Sequence, residues 1–225
     1  MPANRASAPR HRRRPAGRLA LGTAFAAIAV CAGGAGAVVL GLFGDTAAKA
    51  GGTYIPPSIT TTQPRLAHDG GAEPLPRSVP RFVRIPGIGV AAPLMKVGLD
   101  ADGAVQVPPL GAHNLAGWYR GGPAPGQRGP AVILGHVDSA TGISVFYRLR
   151  DLHAGDRVYV TLADGKVAVF VVDGLQKVAK DAFPTASVYR KAGYPSLRLI
   201  TCGGPFDQVT GHYLDNIIVY AHLVS

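Results

Sequence analysis

The sequence predicts a mainly β domain, a closed barrel or a two-sheet sandwich, over residues 81–225 of a 225-residue chain. Two observations carry this expectation. Eight short apolar runs rich in Val, Ile and Leu follow one another, at 82–85, 92–97, 105–107, 131–134, 157–162, 167–172, 197–201 and 217–223. Gly, Pro, Asn and Asp fill the intervals, which is strand-and-turn chemistry. Helical spacing is confined to two short stretches, 145–152 with Phe146, Leu149 and Leu152 on one side, and part of 182–191. A segment of close to 145 residues suffices for one core, and no internal repeat divides it.

The residues before this domain are of another kind. Residues 19–43 carry no charge, and as a helix rising about 1.5 Å per residue they would extend roughly 37 Å, more than the apolar thickness of a bilayer. Arg5, Arg10, Arg12, Arg13, Arg14 and Arg18 precede that run with no acid among them, and Asp45 follows it. The positive-inside rule then makes residues 1–18 a cytoplasmic tail, 19–43 a transmembrane anchor, and places everything beyond outside the cell. This describes a single-pass plasma-membrane protein with an extracellular domain. Ala35-Gly36-Ala37 also has the small-x-small pattern of a signal-peptide cleavage site, but apolar residues continue through Val38, Val39, Leu40, Leu42 and Phe43, which favours an uncleaved anchor. Cys31 follows the bulky Val30 and reads as part of the apolar run rather than as a lipid-attachment site. Residues 44–80, with Pro56, Pro57, Pro64, Pro74, Pro76 and Pro80 and no sustained apolar period, read as a tether.

The net charge of +10 does not point to nucleic acid. Six of the 23 basic residues precede the apolar run, leaving 17 against 13 acids after it, so the domain itself is only mildly basic. There is no paired-cysteine or helical His-x-x-x-His arrangement, and Asp100 and Asp102 fall in an ordinary Gly-containing turn. No metal and no cofactor is expected.

Cys202 is the only cysteine outside the apolar N-terminal run, so an exported domain would hold one thiol and no internal disulfide. It closes the apolar run Leu197-Arg198-Leu199-Ile200-Thr201 and is followed by Gly203-Gly204, whose backbone could turn tightly and approach an oxyanion. His136 closes Ala131-Val132-Ile133-Leu134-Gly135 in the same manner. A thiol and an imidazole at two strand ends suit nucleophilic catalysis, in which the thiolate attacks and the imidazole moves protons. The alternative readings are a buried structural Cys and a structural His. Asp138 could orient the ring or cap a loop. Arg198, four residues before Cys202, shares the thiol's face on a strand and could stabilise a developing negative charge. Arg148 and Arg150 are further cations, or ornaments of an exposed helix face.

Leu134-Gly135-His136-Val137-Asp138, then Phe146-Tyr147-Arg148-Leu149 with Gly155-Asp156, then Leu199-Ile200-Thr201-Cys202-Gly203-Gly204 together resemble the sortase family, most closely its class F from high-GC Gram-positive bacteria. The resemblance covers nearly all of 81–225. It implies an eight-stranded sortase-type β-barrel and a cysteine transpeptidase. Cys202 would attack the carbonyl of a sorting signal similar to Leu-Pro-x-Thr-Gly, with Ile200, Thr201, Gly203 and Gly204 near the substrate. His136 would serve as acid and base, and an amine of a cell-wall precursor or a pilin would resolve the thioester. The implied partners are surface proteins that bear such a signal. One departure stands out: many sortases begin the final strand with an arginine, and here Asn216 stands in that region. Arg198 is then expected to supply the charge, with Asn216 assisting. An L,D-transpeptidase is the enzymatic rival, disfavoured because Thr201-Cys202-Gly203-Gly204 departs from the Ser-x-Gly-Cys-x-Arg context of that family. A non-catalytic, membrane-tethered domain that binds the cell wall is the rival from another class.

Overall fold

A computed structural model describes residues 72–190 and 192–225. The expected tail, anchor and most of the tether lie outside the described residues, and among those described no helix is long and apolar enough to cross a membrane. Ten strands form. They are β1 (Pro80–Ile85), β2 (Val90–Val97), β3 (Ala116–Tyr119), β4 (Gly129–Leu134), β5 (Asp138–Ser139), β6 (Gly142–Ile143), β7 (Arg157–Leu162), β8 (Val167–Ala179), β9 (Pro195–Asp207) and β10 (His212–Leu223). Eight of them close into a barrel in the order β1-β2-β3-β4-β9-β10-β8-β7, while β5 and β6 make a small separate hairpin. Of the two architectures open to the sequence, the barrel is the one formed.

The eighth barrel strand is not the expected one. The run 105–107 contributes only an isolated bridge between Leu99 and Val105, because Pro108 and Pro109 follow at once and neither has an N–H to continue a ladder. Its place is taken by β3, whose Ala-Gly-Trp-Tyr sequence is buried on both faces and therefore lacks a strand's alternation. The expected helix at 145–152 is no more than a 3-10 turn at Leu149–Asp151. The second helical stretch does form, as α1 (Thr185–Tyr189).

The folded unit also begins earlier than Arg81. From Ala72 onward the chain lies against the barrel: Leu75 N donates to Gly126 O at 2.9 Å and Ala163 N to Val79 O at 2.8 Å. The Arg77 guanidinium donates to Gly122 O, Gln127 Oε1 and Arg120 O and stacks 5.5 Å from the Trp118 ring centre. Proline content made these residues look like linker, but proline leaves side chains free to anchor an extended segment.

Two apolar layers fix the strand faces. Ile133, Leu197, Leu199 and Val219 point into the barrel with Trp118, Phe146 and Phe170. Val132, Leu134, Ile200, Cys202, Ile218 and Tyr220 point outward, under Val188 of α1 and under Val97 and Val105. Residues 195–202 of β9 are consequently buried on both faces. A fully buried side chain such as Leu199 or Ile200 contributes about 1.5–3 kcal/mol relative to exposure, so the outer face of β4, β9 and β10 is as firmly set as the inner one.

Candidate active site

β4 and β9 run parallel, with Gly129 opposite Pro195 and Leu134 opposite Ile200, a constant offset of 66 positions. Gly135 N donates to Ile200 O at 3.1 Å, which extends the ladder one step beyond β4. Continued two positions past Leu134 and Ile200, which share the outer apolar cluster with Cys202, the same offset would lead from His136 to Cys202. On the other side of β9, Asn216 of β10 is the cross-strand partner of Cys202. Thiol and carboxamide are thus cross-strand neighbours, and His136 follows two positions beyond the end of β4. Cross-strand neighbours on one face sit about 5 Å apart at Cβ.

β9 does not end at the thiol; it continues to Asp207 in a hairpin with β10. What ends there is its pairing with β4, so Cys202 stands just beyond the last step of that ladder. The two glycines serve the hairpin. Gly204 has φ +76°, where side chains are rarely tolerated, and a Cβ on Gly203 would meet Ile217 Cγ1 at 2.8 Å. The ladder shifts register there, between Tyr213 and Asp215.

Around these residues, the contacts differ from several expectations. Asp138 does not orient the His136 ring; its Oδ2 accepts the Tyr213 hydroxyl. The ring instead meets the carbonyl of Pro108, Nε2 to O, at 2.7 Å. Asn216 is fully buried, and neither its Oδ1 nor its Nδ2 has a hydrogen-bond partner. Ile200 lies beneath the thiol on the same face, while Thr201 points to the opposite face with its hydroxyl unpartnered.

Arg198 shares the outer face with Cys202 but is not brought to it. Four residues along a strand amount to about 13 Å, and the guanidinium stays at its own level, 4.6 Å from the centre of the Tyr220 ring and 3.0 Å from Leu197 O. Arg198 is 2% exposed, and burial pushes its pKa down, against the opposing pull of Tyr220, Tyr194 and Asp173. Arg148 is engaged on the surface by Asp151 at 3.0 Å. Arg150 stacks 5.1 Å from the Tyr147 ring centre and acts on Tyr213 electrostatically. Two of the domain's other histidines are engaged elsewhere: His222 with Asp173 at 2.6 Å, and His113 with Thr141 and Ser144.

Tyr213 and Pro108 are the residues that sequence reasoning missed. A Tyr in a hairpin and a Pro in a loop carry no signal until the chain is folded. Tyr213 packs edge-on against Phe206, with ring centres 5.1 Å apart, and against the apolar cluster containing Cys202. Burial first, then the hydrogen bond and charge of Asp138, push its pKa up to about 12.

Along the outer face of β4, away from His136, lies a cavity of about 240 Å³. Its lining includes Leu99, Val105, Tyr119, Pro130, Val132 and Tyr189. Among the described residues no cluster of His, Cys, Asp and Glu is arranged to hold a metal ion.

A family model described as a sortase domain matches residues 83–224. Among solved structures, the chain is similar to sortase A from Corynebacterium diphtheriae, at 24% identity over 67% of this chain and 62% of that one, with a TM-score of 0.50. It is similar to the lid mutant of that enzyme, at 25% identity over 67% of this chain and 73% of the other, with a TM-score of 0.51. For sortase C-1 from Actinomyces oris the values are 23%, 64%, 73% and 0.50. No curated protein matches the chain.

Proposed function

The chain belongs to the sortase family, and on that premise we propose that it is a class F cysteine transpeptidase, with Cys202 as nucleophile and His136 as general acid and base. What supports this reading is the constant offset of the β4–β9 ladder, which, continued two positions past Leu134 and Ile200, would bring His136 beside Cys202. The Cys202 thiolate attacks the Thr carbonyl of a signal similar to Leu-Pro-x-Thr-Gly. The C–N bond breaks as His136 protonates the departing amine, which leaves an acyl-thioester. An incoming amine then gives its proton to His136, forms the new amide and releases the thiol.

The charge that develops on the carbonyl oxygen needs a donor, and Asn216 is the one beside the thiol. Its buried, unpartnered amide supports this role, and a preorganised neutral donor in a site without water is effective because it need not reorient. Arg198 lies on the same face as Cys202 but four residues along β9, at the level of Tyr220, where it supports the strand rather than the reacting atoms.

The cavity on β4 supports a peptide substrate. Val132 lies four residues from His136, about 13 Å on a strand, which is also the reach of four extended peptide residues. A signal whose Thr carbonyl lies at Cys202 would bring its Leu to the apolar cavity between Val132 and Tyr189.

The same reading places the enzyme at the plasma membrane through residues 19–43, with its domain outside. Its partners would be surface proteins bearing the signal and an amine of a wall precursor or pilin; nucleic acid and cofactors have no part in it. Incubation of the purified chain with Leu-Pro-x-Thr-like peptides and a panel of amines tests it. A covalent adduct on Cys202 that an amine then discharges is expected. If no peptide yields an adduct that disappears in both Cys202→Ala and His136→Ala, the wall-binding alternative takes its place.

A further inference from the structure

The loop between β2 and β3, residues 98–115, is long for a connection without secondary structure, and such loops in compact domains commonly serve function. Its middle is occupied by Pro108, whose carbonyl meets His136 Nε2 at 2.7 Å. A carbonyl oxygen only accepts, so Nε2 carries the hydrogen in this contact. The ring is 4% exposed, which leaves little room for water to substitute. Asp138, the nearest carboxylate in sequence, is committed to Tyr213.

We propose that the Pro108 carbonyl is a positioning group for the Cys202–His136 pair: it holds the imidazole in the Nε2–H form and so assigns Nδ1 to the proton transfers. This rests on the transpeptidase reading for its purpose but not for its geometry. The acceptor suits the cycle because Nε2–H persists in both the neutral ring and the imidazolium. His136 can therefore gain and lose a proton at Nδ1 without turning over.

The local sequence explains why this carbonyl is aimed. Pro108 has its φ fixed by its own ring, and Pro109 restricts the ψ of Pro108 to extended values. The peptide between them has no N–H, so it offers an acceptor and nothing else. Both flanks of the dipeptide are secured. Gln106 Oε1 accepts from Gly98 N at 2.9 Å, and Val105 and Val107 pack on the cluster that contains Cys202. On the other flank, Ala112 N donates to Pro109 O at 2.9 Å, Asn114 Nδ2 donates to Ala91 O at 3.0 Å, and His113 pairs with Thr141 at 2.9 Å.

The test reads the tautomer directly, by long-range 1H–15N correlation of the His136 ring in 15N-histidine-labelled full-length chain. A neutral ring with Nε2 protonated is expected in the wild type. Pro109→Gly frees the ψ of Pro108 and should move population toward the Nδ1–H form, with kcat lower by about ten- to a hundredfold and KM little changed. Pro108→Ala keeps the restriction from Pro109 and should retain the wild-type tautomer. A wild-type ring protonated at Nδ1 overturns the proposal, as does a folded Pro109→Gly chain with the wild-type tautomer and full kcat. Because the tautomer is seen without turnover, a Nε2–H ring in a chain inert toward every peptide counts against the transpeptidase reading alone. An active enzyme with an Nδ1–H ring counts against Pro108 alone.

Discussion

Tyr213 of β10 donates its hydroxyl to Asp138 of β5, and since β9 lies between β10 and β4, the phenol reaches its partner across the strand that carries Cys202. Cys202 and His136 are only 3% and 4% exposed. Tyr213 packs on the cluster that holds Cys202 and is tied down by one hydrogen bond to a carboxylate. Such a bond contributes about 1.5–3 kcal/mol, and the part of it that gates access should appear in thiol chemistry. Tyr213→Phe keeps the ring against Phe206 but removes the bond. Iodoacetamide should then alkylate Cys202 about three- to tenfold faster at neutral pH. An unchanged rate would mean that the phenol does not limit access.

The same bond has a signature in alkali. Burial, with Asp138 behind it, raises Tyr213 from the ordinary 10.0 to about 12 in the folded chain. The unfolded chain therefore ionises this phenol first as pH rises. Its contribution to stability is whole below pH 10.0 and is lost as the pH climbs toward about 12. Denaturation midpoints of wild type should fall more steeply than those of Tyr213→Phe across that window. Parallel curves would remove Tyr213 from the account, since Tyr189, Tyr194 and Tyr220, also raised chiefly by burial, are common to both proteins.

The fold was legible wherever strands are apolar and β-branched, because burial of both faces of β9 and one face of β7 leaves a compositional mark. β3 escaped because Ala116 and Gly117 are small for reasons of close packing: a Cβ on Gly117 would meet Val97 Cγ1 at 2.9 Å. Of the candidate site, His136 and Cys202 stand out in the sequence by their places at the ends of apolar runs. The face of Arg198 was also readable, since strand parity fixes it. How far its guanidinium reaches was not, for that depends on Tyr220 directly across the ladder. Pro108 acts through a main-chain oxygen that every residue possesses, so no side-chain pattern could single it out.

Arg198 separates stability from chemistry. Its guanidinium lies over the Tyr220 ring at 4.6 Å and is buried, so truncation leaves a cavity on the outer side of the sheet. Arg198→Ala should cost about 2–4 kcal/mol of stability. Arg198→Met, which restores most of the volume without a buried charge, should cost less. In both, the rate of acyl-enzyme formation per folded molecule should stay within about twofold of wild type. A hundredfold loss in a fully folded Arg198→Met would return the charge to the reacting carbonyl.

Asn216 should behave in the opposite way. A carboxamide with both polar atoms buried and unpartnered costs the resting protein about 1–3 kcal/mol, and the structure retains one beside the thiol. If a substrate oxygen is what completes its hydrogen bonding, the cost is recovered only as charge develops on that oxygen. Asn216→Leu, close in size and without polar atoms, should raise the melting temperature while lowering kcat for peptide cleavage about 10²- to 10³-fold, the loss known for a single oxyanion donor. KM should move little, because the interaction strengthens in the transition state and not on binding. Thermal melts and steady-state kinetics on the one variant decide the matter: a less stable protein with unaltered kcat would make Asn216 a packing residue and leave the oxyanion to another donor.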